Sequence, residues 1–324
     1  MIVGAGYTGL SAARYLARAG ATVVVVEREQ IAWGASSRNG GQVLTGLKLD
    51  PAALVARYGE VEARRLFETA DASMCRLEAV VAEEQIDCGF ARVGHIQAAW
   101  KPSHFAAFRD EQTLLARVFR HAVHIVPRAE QRSELGSDAY HGLLVDERSA
   151  AVNPAQYAFG LASAAARAGA RIVTGVGVES SSHDGRSWTV RTSAGDLRSR
   201  DVLFATNGYT GRAAPSLQRR LIPIGSYVIA TEPLPRATAA ALLPRRRMAF
   251  DTKNFLYYFR VTDDDRLLFG GRAEFSRPTA DTTRRAAEIL RRGMTTIFPE
   301  LASAAIEYAW AGQVAFTRDQ MPHA

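Results

Sequence analysis

Apolar residues recur along this chain at two alternating periods, and the alternation predicts an α/β protein. Leu10, Ala13, Leu16 and Ala17 fall at helical spacing in a run of helix formers that ends at Gly20. Val23 to Val26 follow without a polar break, as expected for a strand covered on both faces of a parallel sheet. An amphipathic helix is predicted from about Pro51 to Gln85, its apolar side running through Leu54, Tyr58, Leu66, Phe67, Met74 and Val81. Residues 89–100 read as strand, 101–118 as helix, and 133–149 as irregular or edge strand. Asn153-Pro154 opens a helix that runs to Gly169, and 171–178 is a strand. Residues 187–192 and 196–199 form a hairpin, and the buried strand 201–208 closes on small residues. Between Pro215 and Thr262 the rhythm lapses. There 227–231, 254–261 and 266–271 read as strands, the last two a hairpin around Asp263-Asp264-Asp265, and 282–298 reads as helix.

The first predicted turn carries G-x-G-x-x-G, from Gly4 through Gly6 to Gly9. Gly4 permits a tight turn out of a strand, Gly6 lets backbone N–H groups approach a pyrophosphate, and Gly9 lets the helix pack close to the sheet. Glu27 ends the next strand, near the roughly 20-residue spacing of an acid that binds ribose hydroxyls. Strand, glycines, helix, strand and acid in this order predict a Rossmann-like dinucleotide-binding domain. Residues 1–87, 146–211 and 306–324 are assigned to it. Residues 88–145 and 212–305 are assigned to an α+β substrate domain with mainly antiparallel sheet.

Composition narrows the function classes. The net charge is +7, yet only Lys48, Lys101 and Lys253 are lysines, and the arginines are dispersed beside acids. That pattern argues against a nucleic-acid face. No apolar run approaches the roughly 20 residues that span a bilayer, and no secretory signal is visible, so a cytoplasmic location is expected. Cys75 and Cys88 make neither a disulfide framework nor a metal site, and the seven histidines are scattered, so no metal is expected.

Beyond the fingerprint, the string Gly34-Ala35-Ser36-Ser37-Arg38-Asn39-Gly40-Gly41-Gln42 resembles the D-amino-acid-oxidase-like FAD-dependent oxidoreductases, closest to the gamma-glutamylputrescine oxidase branch. Asn153-Pro154, Ala205-Thr206-Asn207-Gly208, the Tyr257–Arg272 hairpin and Trp310-Ala311-Gly312-Gln313 extend the resemblance over the chain. The resemblance implies non-covalent FAD, because the cysteine that attaches flavin in sarcosine-oxidase-like relatives is absent from 313–317. It implies that Gly4, Gly6 and Gly9, with Tyr7 and Thr8 between them, hold the pyrophosphate. Glu27, with Arg28 beside it, would take the ribose. The backbone of Ala35, Ser36, Ser37, Arg38, Asn39, Gly40, Gly41 and Gln42 would line the isoalloxazine and pyrophosphate. Val178 would meet the adenine, and Thr206, Asn207 and Gly208 would pass near the dinucleotide. Tyr257, Tyr258, Arg260 and Arg272 are the substrate candidates; no catalytic side chain stands out.

The implied reaction moves hydride from a C–H beside an amine to flavin, the imine then hydrolysing and O2 accepting the electrons to give H2O2. Leu267 and Leu268 stand where sarcosine-oxidase-like relatives carry a lysine, so a dehydrogenase with another acceptor stays open. Only three residues precede Gly4, and the chain ends at Ala324 where the family continues, so truncation at both ends is expected, and an inactive fragment is a further alternative.

Overall fold

The computed structural model describes residues 1–275 and 277–323, with Arg272 described by its backbone alone. A four-stranded parallel sheet runs in the order Leu203–Phe204, Ile2–Val3, Val24–Val26, Arg171–Val173. Helices Tyr7–Arg18 and Pro154–Arg167 pack over it, closing a core of Ile2, Leu10, Ala13, Val25, Leu161 and Ala165. Asn153 fixes the start of the second helix: its side chain accepts from the N–H groups of Ala155 and Gln156, and Pro154 follows at the first helical position. The long helix Pro51–Glu84 begins in the same way, with Asp50 accepting from Ala53. It is not the continuous rod that periodicity predicts. Gly59 leaves helical geometry at φ +74°, and the buried residues Leu54, Ala63 and Phe67 straddle the break.

The second sheet has eight strands, in the order Ile306–Phe316, Ile222–Thr231, Leu267–Glu274, Tyr258–Val261, Met248–Asp251, His95–Ala98, Gly142–Asp146, His124–Pro127. Only Met248–Asp251 and His95–Ala98 pair in parallel. One face packs on helix Ala280–Ile297 through Tyr227, Ile229, Phe259, Phe269 and Ala249. Phe259 stacks on Phe269 at 5.7 Å and meets Phe298 edge-on at 5.2 Å.

Several sequence expectations change. Gly142–Asp146 lies inside the large sheet with all five residues buried, where an edge or irregular segment was expected. The run 171–178 breaks at Gly175 (φ +74°). Its first half joins the parallel sheet, and Val178 begins Val178–His183 in a separate three-stranded sheet. Ile306–Phe316, which sequence groups with the nucleotide segments, pairs along its length with Ile222–Thr231.

Candidate dinucleotide site and the sheet face beside it

Residues drawn from distant parts of the chain enclose a cavity of about 300 Å³ at the open end of the parallel sheet. Gly4 turns there at φ +104°, where a Cβ would also sit 2.7 Å from the Ala205 carbonyl oxygen. A Cβ on Gly6 would lie 2.8 Å from Ser36 Oγ, and that oxygen accepts from Tyr7 N–H at 3.0 Å. Helix Tyr7–Arg18 has neither an N-cap side chain nor an acid in its first turn, so its positive end is offered to whatever lies before it. Glu27 is oriented by backbone: its carboxylate accepts from Ala5 N–H at 2.8 Å and Glu29 N–H at 3.0 Å.

Gly4, Gly6, Glu27 and Arg28 line one side of the cavity, Ala35 and Ser36 another, and Val178, Thr206 and Asn207 a third. The remaining predicted residues stand behind this lining. Tyr7 turns away to donate to the Pro154 carbonyl at 3.0 Å, its ring 5.3 Å from Tyr157; burial pushes its pKa up to about 12. Thr8 is exposed on the helix, and a Cβ on Gly9 would overlap the Gly4 carbonyl oxygen. Ser37 donates to Ala32 O at 2.7 Å. Arg38 donates to Trp33 O at 2.7 Å and Ala311 O at 3.0 Å, with its guanidinium 4.6 Å above the Trp33 ring. Asn39 closes the short helix Ala35–Arg38, donating to Ala35 O and Ser36 O and accepting from Gly41 N–H at 2.8 Å. Gln42 reaches Ala249 O at 3.4 Å, and Gly208 abuts Gln313.

Strand alternation divides the substrate candidates. Tyr257 lies toward the helix-covered core, 5.0 Å from Phe269. Tyr258 points the other way: a Cβ on Gly40 would meet its ring at 2.8 Å. Arg260 shares that face, but its donors end on Gly40 O at 2.8 Å and Val152 O at 2.9 Å. The Arg272 side chain lies outside the described residues.

Two polar clusters escaped the sequence reading because their members are far apart in the chain. Lys253 Nζ sits 3.2 Å from Asp251, 3.5 Å from the Trp100 ring centre and 4.3 Å from that of Tyr257. Next to the loop that follows Gln42, Asp146 receives His121 at 2.6 Å and Thr45 at 2.5 Å, and His95 meets Ser149 Oγ at 2.8 Å. Burial opposes the Asp146 charge, but the bonds from His121 and Thr45 outweigh it and hold its pKa down to about 2. Burial lowers His95 to about 4, against the pull of Asp146. Among the described residues no group of three or more His, Cys, Asp or Glu could hold a metal, and no helix is long and apolar enough to cross a membrane.

A glycine turn, an acid at a strand end and a bare helix N-terminus around one cavity define a dinucleotide-binding fold. Side chains at Gly4 or Gly6 would crowd that lining, so the residues fit an adenine dinucleotide held through backbone groups. The family described as "FAD dependent oxidoreductase" matches residues 1–324. Gamma-glutamylputrescine oxidoreductase of Escherichia coli K12 is 32% identical over 326 residues, covering 99% of this chain and 74% of that protein. A probable oxidoreductase, OrdL, of Rhizobium meliloti is 33% identical over 322 residues with the same coverage. Glycine oxidase from Geobacillus kaustophilus superposes with a TM-score of 0.80 at 22% identity, covering 99% of this chain and 84% of that one. The chain belongs to the FAD dependent oxidoreductase family, as an amine or amino-acid oxidoreductase.

Proposed function

We propose that this FAD-dependent amine or amino-acid oxidoreductase oxidises the terminal C–N bond of an acylated diamine of the gamma-glutamylputrescine type, with O2 as the acceptor. The primary amine would leave as aldehyde and ammonium after hydrolysis of its imine, with O2 reduced to H2O2. The observation that carries this reading is the match to gamma-glutamylputrescine oxidoreductase along 99% of the chain. Bound FAD supplies the hydride acceptor, so the protein's task is binding, orientation and exclusion of water.

The residues divide that task. The N–H groups in the first turn of helix Tyr7–Arg18, apart from that of Tyr7 which Ser36 takes, would face the pyrophosphate with the positive end of the helix. Glu27, already oriented by Ala5 and Glu29, takes the ribose hydroxyls, while Val178 and Arg28 flank the adenine end. The backbone of Ala35 to Gln42, shaped by Asn39, supports the isoalloxazine, and Tyr258 closes the sheet side against water. A second reading, electron transfer to an acceptor other than O2, is favoured by one observation. Leu267 and Leu268 are buried and apolar, so that stretch offers no cation to an approaching O2.

Reconstitution with FAD followed by peroxide assay tests both. Gamma-glutamylputrescine should give a higher kcat/KM than sarcosine, proline, glycine or D-amino acids, with one H2O2 per aldehyde. Flavin reduction by the diamine without peroxide would select the second reading, and no reduction by any amine would sink both.

A further inference from the structure

Among the described residues three arginines are deeply buried, and one of them is unlike the others. Arg14 is held by Glu83 and Glu84, each at 2.7 Å, and Arg247 by Glu134 at 2.8 Å and Glu147 at 2.6 Å. Arg260 is 7% exposed, donates only to the carbonyls of Gly40 and Val152, and has no carboxylate within 4 Å among the described residues. Asp263 and Asp264 act on it at longer range, with Arg246 opposing them. A buried ion left without a partner costs several kcal/mol, and carbonyl dipoles offset only part of that. Its two acceptors belong to segments that also bond to each other, Val152 N–H donating to Gly41 O at 2.9 Å. Gly41 itself turns at φ +68°, and a Cβ there would lie 2.9 Å from the Arg260 guanidinium. The guanidinium therefore ties strand Tyr258–Val261 to the Asn39–Gln42 loop and leaves a full positive charge directly behind it.

We propose that Arg260 is a positioning residue for the flavin: it fixes the Gly40–Gly41 turn, and its charge, with no carboxylate within 4 Å among the described residues, stabilises the negative charge the ring acquires on reduction. It does not bind substrate. This rests on the reading that Ala35–Gln42 supports the isoalloxazine. The effect follows from charge in a water-poor site, where a fixed cation acts over several ångströms with little screening.

Arg260→Met and Arg260→Lys, each reconstituted with FAD, separate charge from packing. The readouts are the midpoint potential against reference dyes and the affinity for sulfite, which adds to the ring and leaves it anionic. In Arg260→Met the potential should fall and sulfite binding should weaken at least about tenfold, whereas Arg260→Lys should stay within about threefold of wild type. If Arg260→Met does not retain FAD, Arg260→Gln, which keeps a donor without the charge, carries the same comparison. Wild-type potential and sulfite affinity in the uncharged variant would overturn the proposal while leaving the FAD reading intact. Failure of the wild type to bind FAD would overturn that reading first.

Discussion

The two sheets prepare their sides of the site by opposite means. The parallel sheet does so by removing side chains: its strands are two or three residues long, and the turns between them bring backbone within contact of backbone. The eight-stranded sheet has strands of up to 11 residues and works through side chains, with Tyr258, Arg260 and His95 projecting from it. Where backbone does the work, the residue type is dictated and substitution is a matter of sterics. Where side chains do it, register decides which residues act, and charge decides what their loss costs.

The sharpest way to break that contrast is at Gly9. A Cβ there overlaps the Gly4 carbonyl oxygen, which is backbone and cannot rotate away, and it also lies 3.2 Å from the buried Ile2 Cγ2. Gly9→Val should cost more than about 4 kcal/mol and abolish cooperative thermal unfolding. Tyr258→Phe, on the other sheet, should unfold within a few degrees of wild type.

That difference also explains how much of the protein was legible in its sequence. Gly4, Gly6, Gly9 and Glu27 could be placed because each answers a backbone or hydrogen-bond requirement at fixed spacing; Gly4, Gly6 and Glu27 line one cavity, and Gly9 packs behind them against the Gly4 carbonyl. The antiparallel face could not be resolved to residues. Tyr257, Tyr258 and Arg260 lie within four residues of one another, and only pairing with Leu267–Glu274 decides which of them meets the core and which the loop. The strand Gly142–Asp146 differs from the expected irregular segment because its length and apolar run fit either, and both of its sheet neighbours, His95–Ala98 and His124–Pro127, lie earlier in the chain. The His95–Asp146–His121 cluster left no local signal at all, since tertiary contact alone assembles it.

Buried charge gives the next largest effect. Arg247→Met leaves Glu134, itself 4% exposed, with the solvent-exposed Arg245 at 3.2 Å in place of a buried partner, and should cost about 3 kcal/mol in urea unfolding. Adding Glu134→Gln should return part of that loss. Arg260→Met orphans no carboxylate and should cost less than Arg247→Met. An equal or greater cost would mean that Arg260 acts mainly as a structural clamp.

Acid separates the sheets more gently. His95 titrates at 6.5 in the unfolded chain and near 4 when folded, with Asp146, His121 and Arg247 facing it. The unfolded chain therefore binds more protons between those values, so stability falls as pH drops through that window. At pH 5 the loss relative to pH 7 should be about 2 kcal/mol. Asp146, lowered from 3.8 to about 2, contributes stability that is lost only as pH falls below about 4. In His95→Gln the difference between pH 7 and pH 5 in urea unfolding should shrink by about 2 kcal/mol; an unchanged difference would place the titration elsewhere.

The smallest expected effect asks whether the parallel sheet's cradle is as rigid as its glycines imply. A methyl group on Gly6 meets Ser36 Oγ at 2.8 Å, with Ser36 Cβ farther off at 3.8 Å. Unlike the carbonyl behind Gly9, this oxygen can rotate away, at the expense of its bond from Tyr7 N–H. Gly6→Ala should therefore fold normally and lose about 1 kcal/mol, most of it in FAD affinity. Ser36→Ala removes the obstructing oxygen and the acceptor together, freeing a helix N–H for the pyrophosphate. The double variant should bind FAD better than the two single losses would sum to, with a coupling of about 1 kcal/mol in dissociation constants measured by flavin fluorescence. Strict additivity would show that the methyl group obstructs the cofactor directly, and that Ser36 has no part in setting the width of the cradle.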